Sequence, residues 1–211
     1  LMKKLGIQGV WRGKNKQTTR SRDDQKRADD LVKRNFNADH PDQLWVSDFT
    51  YIQTHSGWVY TAFIIDVFSR AIVGWKVSTR MNTDMVLAAL EQALHDRGMP
   101  NNVIHHSDRG VQYLSIRYTN RLEAANLRAS VGTTGDSYDN ALAETVNGLY
   151  KTEVIEYLKA DWQGLADVQL ATLNWVDWFN KKRVHSALGY VSPFDFEAMY
   201  YDKINPLGQV A

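Results

Sequence analysis

The order of strand-like and helix-like segments between residues 44 and 158 constrains the fold more than any other feature of this sequence. Three segments rich in β-branched and aromatic residues come first, and only short turns separate them, which predicts an antiparallel meander. Helical and extended patterns then alternate: helix, strand, helix, strand, helix. This order is typical of an α/β fold in which helices flank a mixed five-stranded sheet.

The segment boundaries follow from hydrophobic periodicity and from turn signals. The pattern predicts Thr83 and Ser137 as N-caps and Ser192-Pro193 as the start of a final short helix, and it allows some helix over Arg22–Val32. The predicted strands are Leu44–Thr54, Trp58–Val67, Ala71–Ser78, Val103–His106 and Leu127–Val131, and the predicted helices are Asp84–Arg97, Ile116–Ala125, a long helix from Ser137 to about Leu158, and Gln163–Lys182.

Charge divides the chain into unlike parts. Residues 1–37 hold eleven Lys or Arg and four Asp or Glu, a balance of +7, so the net charge of +1 leaves −6 for the remainder. A basic arm predicts either a polyanionic partner or a solvated, partly disordered tail, and charge alone does not separate the two. We expect a basic N-terminal arm over residues 1–40, a core over 41–160 and a C-terminal helical extension over 161–211.

The absence of cysteine limits the chemistry that is available to the chain. It excludes disulfides, thiolate metal sites and a cysteine nucleophile, and it fits a reducing cytosol. Any metal would be held by carboxylate, imidazole or carbonyl groups. No apolar run is long enough to span a bilayer, and the N-terminus lacks the apolar core of a secretory signal, so we expect a cytoplasmic protein without a membrane partner.

Three acidic residues lie at positions that suggest chemistry. Asp48 is in the middle of the first predicted strand, Asp108 directly follows the fourth, and Glu144 is predicted two turns into the long helix beside apolar residues 141–143. Taken singly, each acid has an ordinary structural explanation in a turn, a cap or a solvated helix face. Three carboxylates that converge from different elements would instead suit two Mg²⁺ ions that clamp the oxygens of a phosphoryl transfer.

The spacing of these acids and the segments around them resemble one known family. Thirty-five residues separate Asp108 from Glu144, and an Asp-Asp-35-Glu pattern is the hallmark of retroviral-integrase-like transposases. The chain is similar to insertion-sequence transposases whose second reading frame encodes such a core. The matching segments are Trp45–Ile52, Ile65–Arg70, His106–Tyr113, Gly135–Glu144 and Asn180–Pro193.

The resemblance implies a fold, an activity and partners. The fold would be ribonuclease H-like, with the integrase catalytic core over 41–160 and with Asp48, Asp108 and Glu144 as catalytic and metal-binding residues. The activity would be metal-dependent DNA cleavage and strand transfer with two Mg²⁺ ions, for which Mn²⁺ can substitute. The expected partners are element-end and target DNA, further copies of this chain, and an upstream-frame product with a helix-turn-helix, of which residues 1–40 would be the truncated tail. The setting would be a prokaryotic cytoplasm, at the nucleoid.

Four further residues are predicted to contact DNA. Lys151 lies seven positions after Glu144 and therefore on the same side of the helix, where it could hold a phosphate; the less favoured alternative is a surface lysine that pairs with an acid. Arg183 and His185 belong to a basic cluster at a helix C-terminus, a place that favours cations in any case. Asn140 is predicted either to touch DNA or to cap the long helix.

Other residues are expected to support the three acids or the core. His106 and Asp139 are predicted to orient or support the catalytic carboxylates. Asp66 is interpreted as structural, in a pair with Arg70. Core packing explains several residues as well as nucleic-acid contact does, or better: Gln112, Tyr113, Trp175, Trp178 and Phe179.

Two other functions remain open on the sequence. The first is a ribonuclease H-like nuclease that only hydrolyses. The second is an inactive DNA-binding remnant of a mobile element, which the intact set of three acids disfavours.

Overall fold

One five-stranded mixed sheet forms the centre of the computed structural model, which describes residues 28–132, 140–158 and 161–205. The strand order is β3-β2-β1-β4-β5. The first three strands pair antiparallel, whereas β4 pairs parallel with β1 and β5 pairs parallel with β4. The predicted meander followed by parallel strands is therefore confirmed. The strands are β1 Leu44–Thr54, β2 Gly57–Asp66, β3 Ile72–Ser78, β4 Ile104–Ser107 and β5 Arg128–Val131.

Helices cover both faces of the sheet, as predicted. The third helix continues without a break into a π-helical segment, Lys151–Glu156, which the sequence did not predict. A short 3-10 helix, Ser186–Leu188, precedes the last helix. The α-helices are α1 Thr83–Asp96, α2 Ile116–Ala124, α3 Ala141–Tyr150, α4 Leu165–Lys181 and α5 Pro193–Ile204.

Helix starts show where local sequence signals were correct and where they were wrong. Ser192 caps α5 by accepting a hydrogen bond from Asp195 N–H, and Pro193 occupies the first turn, as predicted. The cap of α1 is Asn82 and not Thr83: Asn82 has the extended backbone that an N-cap requires, and its side chain accepts from Met85 N–H at 3.2 Å. The predicted cap Ser137 lies outside the described residues.

The end of the predicted helix over residues 22–32 is not helical in its described part, Ala28–Val32. The Asp30 carboxylate accepts the N–H groups of Val32 and Lys33, each at 2.9 Å, so its side chain competes with helical hydrogen bonding. The next contact is tertiary, because Leu31 N–H donates to Ser130 Oγ at 2.9 Å. The described part of the predicted arm around Leu31 therefore packs against β5.

Successive side chains of β1 point to opposite faces of the sheet and belong to two separate apolar cores. Leu44 and Val46 point to the face that α3 and α4 cover, whereas Trp45 points to the face that α1 and α2 cover. Asp48 follows Leu44 and Val46 at the same two-residue period. Its carboxylate is therefore carried to the α3 side of the sheet, where Asn147 contacts it.

The C-terminal helices are joined to the sheet by side-chain amides and by a buried ion pair. The Asn180 amide pairs with edge strand β3, accepting from Ile72 N–H at 2.9 Å and donating to Ile72 C=O at 2.8 Å. Arg97 at the end of α1 contacts both Asp42, just before β1, and Glu197 on α5. These contacts hold α4 and α5 against the core, and they cover part of an edge that could otherwise pair with another strand.

Candidate active site

Asp48 is the fifth of eleven residues in β1, and its two carboxylate oxygens are held by different elements. Oδ1 accepts a hydrogen bond from Phe49 N–H at 2.8 Å, and Oδ2 accepts one from Asn147 Nδ2 of α3 at 2.9 Å. The carboxylate is half-buried. Strand and helix together therefore fix its orientation, as a metal-binding carboxylate requires.

Asp108 directly follows β4 and lies beside Asp48 because of the sheet register. Ser47 pairs with Ser107 across the parallel β1–β4 ladder, so Asp48, the next residue of β1, lies beside Asp108, the first residue after β4. Gly110 N–H donates to Asp108 Oδ1 at 2.9 Å. A Cβ at Gly110 would itself lie 2.9 Å from that oxygen, so glycine is what allows the loop to fold so closely around the carboxylate.

Glu144 reaches the same region from the first turn of α3 rather than from two turns into the helix, because the described helix begins at Ala141. Two amides connect α3 to β1. Asn140 Nδ2 donates to Ser47 C=O at 2.9 Å, and Asn147 donates to Asp48 one helical turn beyond Glu144. The predicted cap role of Asn140 is wrong, since its side chain makes no capping hydrogen bond and instead joins the helix to the strand.

The electrostatics of Asp48 and Asp108 show that the acids lie within reach of each other. Burial, then repulsion from Asp108 and, to a lesser degree, from Glu144 raises the pKa of Asp48 to about 8, against the hydrogen bonds from Phe49 and Asn147. Burial also raises the pKa of Asp108, while the Gly110 hydrogen bond and His106 oppose the rise. In the absence of a cation, the site therefore favours the protonated, neutral forms of Asp48 and Asp108.

The carboxylates are gathered but not arranged as a finished cation cage. Among the residues that the structure describes, no group of three His, Asp or Glu side chains is set around one metal position. The donor set nevertheless fits a hard divalent cation, which takes carboxylate oxygens and keeps several water ligands of its own. The repulsion at Asp48 is the property that a bound cation would relieve.

Lys151 faces this acidic site, as its spacing from Glu144 predicted. Its Nζ lies 4.7 Å from the centroid of the Tyr51 ring, and it is half-buried. Burial lowers the pKa of Lys151, whereas the attraction of Asp48 and Glu156 opposes that shift. A cation therefore lies close enough to Asp48 to interact with its charge, and its contact with a DNA phosphate stays a prediction.

The residues predicted to support the acids have separate outcomes. His106 is buried, and its Nδ1 is hydrogen-bonded to Ser130 Oγ at 2.8 Å, while its ring meets Phe36 edge-on at 5.8 Å. His106 lies close enough to Asp108 to lower the pKa of that acid. A role of His106 in orienting Asp108 stays a prediction. Asp139 lies outside the described residues.

The basic cluster after α4 is built around an ion pair. The guanidinium of Arg183 donates to Glu153 at 2.7 and 3.0 Å, and Trp175 Nε1 donates to the same carboxylate at 3.0 Å. The ring of His185 packs against Phe179 at 4.8 Å, and burial followed by the charge of Arg183 lowers the pKa of His185 to about 4. His185 is therefore neutral near pH 7. Contact of Arg183, His185 or the buried Asn140 with DNA stays a prediction.

The packing interpretation holds for most of the remaining candidates. Trp178 is the exception, with 42% of its surface exposed. Asp66 is structural as expected, but its carboxylate accepts from Ser69 N–H, Ser69 Oγ and Asp42 N–H rather than from the Arg70 side chain. Burial lowers the pKa of Arg70, and the charge of Asp66 opposes that shift. The buried candidates are Gln112, Tyr113, Trp175 and Phe179.

Asn147 is the site residue that sequence reasoning missed. It is 8% exposed and donates directly to Asp48. A signal was present, because an amide three positions after Glu144 lies on the same helix face, among otherwise apolar buried positions.

Comparison with known proteins identifies the family and the fold of this chain. The Integrase core domain family matches residues 38–137, and a second Integrase core domain family matches residues 125–193. The fold is that of retroviral integrase catalytic cores. The HTLV-2 integrase catalytic core domain in complex with magnesium superimposes with a TM-score of 0.60 at 18% identity, over 76% of this chain and 99% of that one. A chain of the simian T-cell lymphotropic virus intasome, in complex with a PP2A regulatory subunit, gives a TM-score of 0.66 at 16% identity, over 82% of this chain and 58% of that one.

Sequence relatives narrow the class. The transposase for insertion sequence element IS629 of Shigella sonnei is 54% identical over 97% of this chain and 68% of that protein. A putative transposase for IS986/IS6110 of Mycobacterium tuberculosis is 50% identical over 95% of this chain and 74% of that protein. Transposase InsF for IS3A of Escherichia coli is 38% identical over 81% and 59%.

The chain belongs to the insertion-sequence transposases that carry an integrase core domain. It is a DNA transposase, an enzyme of the polynucleotidyl transferase class, which confirms the expected family, fold and activity. In the part of the chain that the structure describes, no helix combines the length and apolarity needed to cross a membrane.

Proposed function

We propose that Asp48, Asp108 and Glu144 are the catalytic carboxylates of this transposase and that they hold its divalent cations, two Mg²⁺ or Mn²⁺ ions. The observation that carries this proposal is the proximity of three acids from β1, the loop after β4 and α3 beside the carboxyl end of β4, where burial and repulsion from Asp108 and Glu144 raise the pKa of Asp48 to about 8. A site with this charge has a strong reason to bind cations.

The residues around the acids would keep them in place during the reaction. Asn147 fixes one oxygen of Asp48, Gly110 fixes one oxygen of Asp108, and Asn140 holds the start of α3 against β1. Bound divalent cations would supply activation of the attacking oxygen and neutralisation of charge at the leaving oxygen. Lys151 would hold a phosphate of the DNA beside the scissile bond.

The reaction would use one site twice. Water attacks phosphorus in line to release a DNA 3′-hydroxyl, and that hydroxyl then attacks a target phosphate, with no covalent enzyme intermediate. The carboxylates remain the same in both steps and only the nucleophile changes. Because little covalent chemistry falls to the protein in phosphoryl transfer, positioning and electrostatics account for the roles assigned to these residues.

The proposal extends to partners and place of action. We expect the chain to act on element ends and target DNA, as a homo-oligomer and with an upstream-frame product that carries a helix-turn-helix, in a bacterial cytoplasm at the nucleoid. The oligomer is supported by the fold it shares with a chain of a viral intasome. Contacts of the basic arm, Asn140, Arg183 and His185 with DNA, and the division of the chain at residues 40 and 160, belong to the same proposal.

The experiment measures nicking and joining of element-end DNA by the purified chain together with its upstream partner. We expect both activities to require Mg²⁺ or Mn²⁺, to stop with EDTA, and to fall by about a thousandfold or more in Asp108→Asn. The matched control is Asp84→Asn, an exposed acid of α1 that pairs with Arg117 and that should leave both activities unchanged.

The products decide between the proposal and its rivals. Joined products support a transposase, nicked products alone would indicate a nuclease that only hydrolyses, and salt-dependent binding of any duplex without cutting would indicate a remnant. Undiminished joining by Asp108→Asn would refute the assignment of the carboxylates.

A further inference from the structure

A tight hairpin follows α4, and the reaction described above leaves it without a role. His185 N–H donates to Val191 C=O at 3.1 Å, and both Leu188 N–H and Tyr190 N–H donate to His185 C=O at 3.0 and 2.9 Å. Leu188 is 7% exposed and Ser192 is 2% exposed, so the base of the hairpin is packed into the protein. The hairpin is therefore a rigid feature of the fold.

Tyr190 at the tip of this hairpin is both strained and exposed. Its φ is +64°, directly after Gly189 at φ +77°, so a bulky aromatic residue occupies the left-handed region that favours glycine. Burial of the ring does little to offset this backbone strain, since 73% of the residue is exposed. Strain of this kind, held in place by surrounding hydrogen bonds, is a reason to look for a function in the side chain.

The surroundings of Tyr190 are cationic. Residues 181–190 contain three Lys or Arg and no acid. Within the described parts of the chain Lys182 has no ion-pair partner, whereas Lys181 pairs with Asp177. The positive field also extends to Arg70 of the β2–β3 turn, which together with Arg183 lowers the pKa of His185. An exposed aromatic ring beside such a surface matches the two requirements for binding a nucleic-acid strand, a charged track and a stacking face.

We propose that Tyr190 is a stacking platform for an unpaired DNA base, on a strand whose phosphates follow the cations of residues 181–183. The proposal rests on the proposed function and deepens it, because it assigns a contact with unpaired DNA to a named residue outside the carboxylate site. Residues 181–190 contain no acid, and among their cations Lys181 and Arg183 pair with acids of neighbouring segments while Lys182 has no ion-pair partner in the described parts of the chain, so DNA is the occupant that the charges favour.

The chain supplies a matched control for the strain itself. Gly98 and Met99 repeat the same conformation, at φ +68° and +58°, and Met99 is 51% exposed. Met99→Gly and Tyr190→Gly therefore relieve similar backbone strain, but only the second removes an aromatic ring. Tyr190→Phe keeps the ring and the strain and removes the hydroxyl.

The experiment measures the Kd of the full chain for a fluorescein-labelled oligothymidylate of about 20 nucleotides and for a duplex of the same length by fluorescence anisotropy, with Tm recorded for each variant. We expect Tyr190→Gly to melt no lower than wild type, as Met99→Gly does, yet to bind the oligothymidylate about tenfold more weakly, since a stacked base contributes that much. Tyr190→Phe and Met99→Gly should bind within about twofold of wild type, and duplex affinity should change little.

Several results would overturn the proposal. Unchanged oligothymidylate binding by Tyr190→Gly would do so, as would equal losses on both DNAs, an equal loss in Tyr190→Phe, or no binding by the wild type. A change in oligomeric state without a change in Kd would indicate that a second copy of the chain covers Tyr190 instead. Binding needs no cleavage, so Asp108→Asn should show the same dependence on Tyr190. Failure of the stacking proposal is thereby separate from failure of the catalytic assignment.

Discussion

Two acidic clusters of this protein, at the start and in the middle of β1, differ in how their charge is compensated. In the first, Arg97 donates to Asp42 at 2.8 Å and to Glu197 at 2.5 Å, and all three side chains are between 10% and 16% exposed. Trp45 Nε1 adds a further hydrogen bond to Asp42. Burial alone would lower the pKa of Arg97, but its hydrogen bonds to the two acids outweigh burial and raise it.

In the second cluster, Asp48 lies beside Asp108, and Glu144 lies close enough to raise the pKa of Asp48. Neither Asp48 nor Asp108 forms an ion pair with a Lys or Arg among the described residues, and their direct partners are N–H groups. The pKa of Asp48 rises accordingly. The two clusters therefore differ in how acids are compensated: the first contains a nearly buried cation, whereas the direct partners described for Asp48 and Asp108 are neutral N–H groups.

Removing the cation of the compensated cluster should have the largest effect on stability. We expect Arg97→Met to lower the free energy of unfolding by about 3–5 kcal/mol, because two nearly buried carboxylates lose their partner. Urea unfolding followed by circular dichroism measures this change. The control Arg121→Met breaks the more exposed pair with Glu91 and should cost less than about 1 kcal/mol. Equal losses in the two variants would remove the contrast between the clusters.

Asn147→Ala tests whether orientation of Asp48 matters to catalysis. Loss of its hydrogen bond to the carboxylate should reduce strand transfer by about 10–100-fold and raise the Mg²⁺ concentration needed for half-maximal rate. Asn174→Ala, at an exposed position of α4, should leave both quantities unchanged. If the rate of Asn147→Ala falls while its Mg²⁺ requirement does not move, the residue is structural and does not position a metal ligand.

Neutralising one acid of the second cluster should stabilise the metal-free protein. We expect Asp48→Asn to raise the free energy of unfolding by about 1–2 kcal/mol near pH 8 and to abolish strand transfer. The folded wild type binds a proton at Asp48 up to about pH 8, whereas an unperturbed aspartate loses it near 3.8. The folded state therefore holds more protons in that window, and the contribution of Asp48 to stability falls as pH rises.

Unfolding of both proteins between pH 5 and about pH 8 in EDTA checks this prediction. The advantage of Asp48→Asn should grow with pH across that window. A variant less stable than wild type at every pH would show that the Asp48 charge is compensated after all.

Local patterns predicted most of the fold because they reflect single elements. The content of β-branched and aromatic residues identified the whole strand β1 from Leu44 to Thr54, and the predicted strand Val103–His106 located β4 to within one residue. What local patterns missed depends on partners distant in the chain. Arg97 and Asp42 are 55 residues apart and Asn147 and Asp48 are 99 apart, and no periodicity encodes such contacts.

The candidate site likewise has features that the sequence predicted and features that it did not. Spacing and resemblance indicated Asp48, Asp108 and Glu144, and the parallel register of β1 and β4 accounts for the meeting of the first two. The turn of α3 that carries Glu144 could not be predicted, because the described helix begins later than its apolar pattern suggested. The strain at Tyr190 was equally hidden, since a φ angle is a property of the folded backbone.

The most direct test of the central claim is the melting temperature of the chain as Mg²⁺ is added. Carboxylates that repel one another until a cation binds predict a Tm that rises with Mg²⁺. The gain should approach about 2.7 kcal/mol at a hundred times Kd, or roughly 5–10 °C for a chain of this size. The rise should disappear in Asp48→Asn and in Asp108→Asn and persist in Asp84→Asn. A wild-type Tm that ignores both Mg²⁺ and Mn²⁺, or a rise that survives the loss of Asp48 or Asp108, would contradict the account.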